Sequence, residues 1–189
     1  MKKIIIFLLT FSLLSCSGDN DDQNNSNNLT IDGTTYTVVN AVAVDNYRFG
    51  SDTHAEYDFF LTDGTITINA EPASYFAPSI SDGSFSIAVD MMSNNPEFAP
   101  GTYVYDLIGL SPPQPNYNFF YNLGIGLDTN GNGVIGEIGE PYYTATSGTV
   151  EITGTAPNFN LDIDVTLSNG QNFRYYYNGG FTYYNNRND

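Results

Sequence analysis

The chain has 189 residues and sets twenty-one Asp and Glu against five Lys and Arg, a formal net charge of −16. That balance excludes a phosphate-backbone partner, because nucleic-acid binding needs a basic surface, and it disfavours adsorption to anionic lipid headgroups. A single cysteine leaves no internal disulfide, so the fold must rest on its packed core.

Residues 1–15 read as an export signal. Lys2 and Lys3 are followed by an apolar run from Ile4 to Leu14, interrupted only by Thr10 and Ser12. As a helix this run reaches roughly 16 Å, about half the hydrocarbon core, too short to span a bilayer. It ends in Leu13-Leu14-Ser15-Cys16, which resembles the lipobox of bacterial lipoproteins, with Leu14 bulkier than the usual residue there. The resemblance implies cleavage before Cys16 and lipidation of its thiolate, which anchors the chain to the outer membrane. Cleavage removes both lysines and leaves Arg48, Arg174 and Arg187 against all twenty-one carboxylates, a net charge of −18.

Residues 16–28 are expected to be a tether. Ser17 to Asn28 holds no apolar side chain, so nothing offsets the entropy of ordering it. Random-coil scaling gives an end-to-end distance of roughly 20 Å. Ser17-Gly18-Asp19-Asn20-Asp21-Asp22 resembles the acidic export signal of surface-displayed lipoproteins of the Bacteroidota. In that likeness Ser17, Asp19, Asp21 and Asp22 direct the domain to the extracellular medium. The alternative is a merely polar linker.

Residues 29–189 carry a period of two and no convincing helix, which predicts one all-β domain. Tyr36, Val38, Val42 and Val44 open the pattern, and Tyr57–Leu61 and Thr65–Asn69 follow. Phe85, Ile87, Val89 and Met91 alternate, then Thr102–Leu107, then Phe119, Tyr121, Leu123, Ile125 and Leu127. Thr149–Thr153 precedes Phe159, Leu161, Ile163, Val165 and Leu167, which alternate with Asn160, Asp162, Asp164 and Thr166; Gln171–Tyr177 closes the series. In such strands one face is buried and the other wet. Turn pairs at Asp63-Gly64, Asp82-Gly83, Pro112-Pro113 and Asn169-Gly170 punctuate them. Around nine antiparallel strands suit a single β-sandwich or closed β-barrel, and the alternation fits both. From Ser147 to Phe181 the chain resembles the closing strands of uncharacterised Bacteroidota β-lipoproteins, a likeness that supports the fold and implies no activity.

Asp128-Thr129-Asn130-Gly131-Asn132-Gly133-Val134-Ile135-Gly136-Glu137 matches the opening of a calcium loop. Asp128, Asn130 and Asn132 take the first three ligand positions, and the Val134 carbonyl takes the next. Position 12 is Gly139, so Glu137 or Glu140 must supply the closing carboxylate from a β-hairpin. A plain glycine-rich turn explains the same residues.

Tyr176 and Tyr184 are expected to point away from the core, since Phe173, Tyr175, Tyr177, Phe181 and Tyr183 point in. Exposed rings beside asparagines suit a glycan or protein ligand. Asp162 and Asp164 stand roughly 6.5–7 Å apart by strand rise, near the spacing of an inverting glycosidase, although nothing suggests a cleft and a solvated strand face is the better account of them. His54, the single histidine, falls in a polar segment and reads as a surface-loop residue. No G-x-S-x-G elbow, zinc pair or phosphate loop is present. The expected function is a surface lipoprotein with a non-enzymatic binding or structural β domain. A glycan-binding accessory of an uptake system is one alternative, and a hydrolase with paired acids is another. A concave row of exposed rings would favour the first, and two buried carboxylates in a cleft the second.

Overall fold

The computed structural model describes residues 27–49, 53–68, 78–111 and 114–186. Their strands are β1 (Asn28–Ile31), β2 (Thr34–Thr37), β3 (Asn40–Phe49), β4 (His54–Thr62), β5 (Thr65–Thr67), β6 (Ser79–Ser81) and β7 (Phe85–Ser93). They continue with β8 (Gly101–Tyr105), β9 (Phe119–Leu127), β10 (Tyr142–Thr155), β11 (Asn158–Leu167), β12 (Asn172–Tyr177) and β13 (Thr182–Asn185). Nine of them form one sheet in the order β12-β11-β10-β8-β9-β7-β4-β3-β13, while β1–β2 and β5–β6 are separate ribbons. The expected strand count holds for the main sheet, which curls into a half-barrel. Two of its pairings, β8 with β9 and β13 with β3, are parallel. None of the described residues forms a helix long and apolar enough to cross a membrane.

The curl is visible in ring contacts between strands far apart in the sheet. Phe59 of β4 lies 5.4 Å from Phe159 of β11 and 5.3 Å from Phe181, edge to face. Around them Ile87, Ile125, Val150, Ile152, Leu161 and Ile163 are fully buried. Each such side chain contributes about 1.5–3 kcal/mol relative to exposure. The alternation of β11 is therefore real: its apolar positions face this core, while Asp162 and Asp164 are exposed.

Two apolar patterns depart from expectation. Val42 and Val44 pack outside the main core with Phe60, Ile66 and Ile68, whereas Ala41 and Ala43 face the core. The strand is interrupted at Val38-Val39, between β2 and β3, and β3 is buried on both faces from Ala41 to Asn46, so alternation alone could not choose the inner one. In β9, Tyr121 leaves the inner face because the ladder slips beside it: Met91 pairs with Phe120, while Asp90 pairs with Asn122. Phe120 fills the core instead.

Strand β10 runs fourteen residues because it serves two partners on one edge. Tyr142–Thr144 pairs with β9, and Thr149–Ile152 pairs with β8. Between them the ladder with β11 slips at Ala145 and Ser147, and Gly148 adopts a φ of 117°. At this bend β10 changes partner from β9 to β8.

Candidate functional site

The open face of β8, β10, β11 and β12 is polar, and register sets its composition. Tyr176 lies opposite Asp162, Asp162 opposite Glu151, and Glu151 opposite Thr102. That makes one row across four strands, each about 4.7–4.9 Å from the next. Arg174, Asp164, Thr149 and Val104 form a parallel row. Asn160 donates to the Thr153 hydroxyl at 3.0 Å and closes the other side. Arg174 and Asp164 pair at 2.9 Å with side chains 79% and 51% exposed, so the pair is screened and adds little stability. Glu151, Thr153, Asn160, Asp162 and Tyr176 line a shallow depression of about 190 Å³. A second, of about 280 Å³, continues through Thr102, Thr149 and Arg174.

Tyr176 is half-buried in this surface, and Tyr184 is exposed on β13 in register with Val44. Both rings point outward as expected, but they stand on the two edge strands of the sheet. The carboxylates Asp162 and Asp164 are exposed on an open sheet face, the arrangement of a solvated strand.

The loop after β9 brings the proposed ligands together. Asp128 accepts from Gly131 N–H and Gly133 N–H, both at 2.7 Å. Those backbone donors, Gly133 foremost, hold its carboxyl below the ordinary value. Asn130 and Asn132 each donate through Nδ2 to Glu137 Oε2, at 3.2 and 2.7 Å. Glu140 Oε1 accepts from the N–H of Thr129 and Asn130, while its buried Oε2 has no donor. The Asn132 side chain also caps Val134, whose N–H lies 2.8 Å from Oδ1. Gly131, Gly133, Gly136 and Gly139 all have positive φ, which lets the loop turn this tightly. Among the described residues no cluster of three or more His, Cys, Asp or Glu side chains is placed to hold a metal ion. A cation here would draw on two Asn carbonyls besides carboxylates.

His54 is not a loop residue. It opens β4, is 2% exposed, and donates or accepts with both ring nitrogens engaged. Nε2 lies 2.9 Å from the Pro115 carbonyl, and Nδ1 lies 2.9 Å from the Thr53 hydroxyl. The carbonyl can only accept, so Nε2 carries the proton. The polar segment before it hid the fact that the chain enters the sheet at this residue.

A further group, Glu56 and Asp58 on β4 and Asp90 on β7, is buried and carries no motif that would mark it in the chain. Tyr121 donates to Glu56 at 2.5 Å, Asn122 to Asp90 at 2.8 Å, and Asn46 to Asp58. Burial pushes all three carboxyls up from their ordinary values, Asp58 well up. Neither of the two depressions on the open face includes these acids.

Cys16, Ser17, Asp19, Asp21 and Asp22 lie outside the described residues. No known protein family, curated protein or solved structure matches the chain.

Proposed function

We propose that the chain is a lipid-anchored, surface-displayed lipoprotein whose β domain is a non-enzymatic binding module. Its ligand is a neutral glycan, held across the open face of β10, β11 and β12. The observation that carries this reading is the row Tyr176–Asp162–Glu151 with Asn160 and Thr153 beside it. A tyrosine ring offers an apolar face to sugar C–H groups. Flanking carboxylates and amides accept from and donate to hydroxyls, and charged acceptors make the stronger bonds. The depression, about 190 Å³, is smaller than the ~300–1,000 Å³ of sites that enclose a small molecule. A polymer segment lying across the strands fits such a surface better than an enclosed monomer. The acidic surface repels anionic polymers, which selects neutral ones.

Affinity electrophoresis of the purified chain through neutral polysaccharides tests this. Retardation should appear with at least one polymer and weaken about tenfold in Tyr176→Ala, a loss of roughly 1.4 kcal/mol. Tyr184→Ala should leave it unchanged. Equal retardation of wild type and Tyr176→Ala would remove the site from this face.

Calcium is proposed to pin the 128–140 loop through Asp128, Asn130, Asn132, the Val134 carbonyl, and Glu137 or Glu140. All these donors are oxygens, and Glu140 Oε2 is buried without a donor. Low ligand charge implies a Kd of about 10⁻⁴–10⁻³ M, suited to an extracellular module. At ten times Kd the ion should add on the order of 1 kcal/mol, raising Tm by several degrees. Magnesium should do less, because it gives up water reluctantly. If Asp128→Ala gains as much from calcium as wild type, the ion is only screening net charge.

A further inference from the structure

Asp58 and Asp90 stand directly opposite each other in the β4–β7 ladder, on the face turned away from the main core. Directly opposed side chains have Cβ atoms about 4.5–5.5 Å apart. Asp58 is 0% exposed and Asp90 8%. Each accepts one neutral amide donor, from Asn46 and Asn122 respectively. Asp58 Oδ1 is buried and has no donor. Among the described residues, the groups that face the pair are Asn46 of β3, Glu56 of β4, Tyr121 and Asn122 of β9, and Tyr142 of β10. None of these is a cation. Two ionised carboxylates cannot be held in contact in such a site on one amide apiece.

We propose that Asp58 and Asp90 hold one proton between them, a proton-binding site built into the sheet that ties the stability of the domain to acid conditions. The proton on one carboxyl converts the orphan acceptor into a donor toward the other carboxylate. Burial raises the folded-state proton affinity of both above the unfolded value near ~4. The stabilisation is therefore fully present below that value and is lost as pH rises through the folded one. Asp128, held low by backbone donors, works with the opposite sign and over a lower range.

The test is equilibrium unfolding of the full chain in detergent, between about pH 5.5 and 8, where ordinary carboxyls no longer titrate. The folding constant of wild type should fall as pH rises, by up to about tenfold per pH unit for the proton held. Asp58→Asn keeps the shape, donates to Asp90 without a proton, and should make that slope shallower. Glu56, raised by burial, is common to both proteins, so the difference between them is the readout. The variant should also be the more stable of the two at the alkaline end. Identical slopes would overturn the proposal. If Asp58→Asn does not fold, carbon-detected NMR of the wild-type carboxyls decides the matter. One of Asp58 and Asp90 should remain protonated at about pH 6, and full ionisation of both there would equally overturn it.

Discussion

Ile163→Asp is expected to unfold the domain. Ile163 is 0% exposed, with Val150 opposite on one side and Tyr175 on the other. An aspartate there buries a charge among apolar side chains, with no donor or cation to receive it. Such burial costs several kcal/mol, against a total stability of about 5–15 kcal/mol for a domain of this kind. Asp162→Ala, one residue away and exposed, should change stability by about 0.5 kcal/mol or less. Urea unfolding followed by circular dichroism separates the two. Comparable losses would mean that β11 is not half-buried.

Gly148→Ala should be nearly as damaging. Gly148 sits at the bend of β10 with a φ of 117°, a region that L side chains rarely adopt. A Cβ there would lie 2.3 Å from the Asp164 carbonyl oxygen and 2.6 Å from Val165 Cα, both backbone atoms of β11. Relief requires parting the ladder that carries the open face, so a loss of several kcal/mol is expected. Gly170 is the control, with a φ of 83° and open space around it. Gly170→Ala should cost only the left-handed penalty, about 1–2 kcal/mol. Thermal melts of the two variants compare them, and equal shifts in Tm would show that the bend tolerates a side chain.

These two positions mark what local sequence can and cannot reveal. The alternation in β11 was legible because one of its faces meets solvent, so Asp162 and Asp164 mark the outside. Asp58 alternates with Tyr57 and Phe59, and Asp90 with Val89 and Met91, in the same way. Yet that outer face is covered, and the carboxylates are buried. A period of two separates two faces without saying whether the second is open. For the same reason Val42 and Val44 could not be told from core residues. The slip in β9 that exchanges Tyr121 for Phe120 depends on pairing with β7, a partner remote in sequence. The calcium-loop residues were found because they are contiguous. The Tyr176–Asp162–Glu151 row was not, although Tyr176 and Asp162 each stood out alone, because it exists only once three strands are in register. Contiguous chemistry is legible in a chain, and cross-strand chemistry waits for the ladder.

The central claim, a displayed domain that binds without cleaving, is tested most directly on intact cells offered a fluorescent neutral polysaccharide. Cells carrying wild type should capture the polymer and release it at its original length. Tyr176→Ala should lose capture while remaining lipid-anchored. Cys16→Ala should lose capture because the domain no longer reaches the surface. Replacing Asp19, Asp21 and Asp22 with Ala should do the same while the protein stays in the membrane fraction. Capture that survives Tyr176→Ala, or polymer recovered in shortened pieces, would contradict the claim.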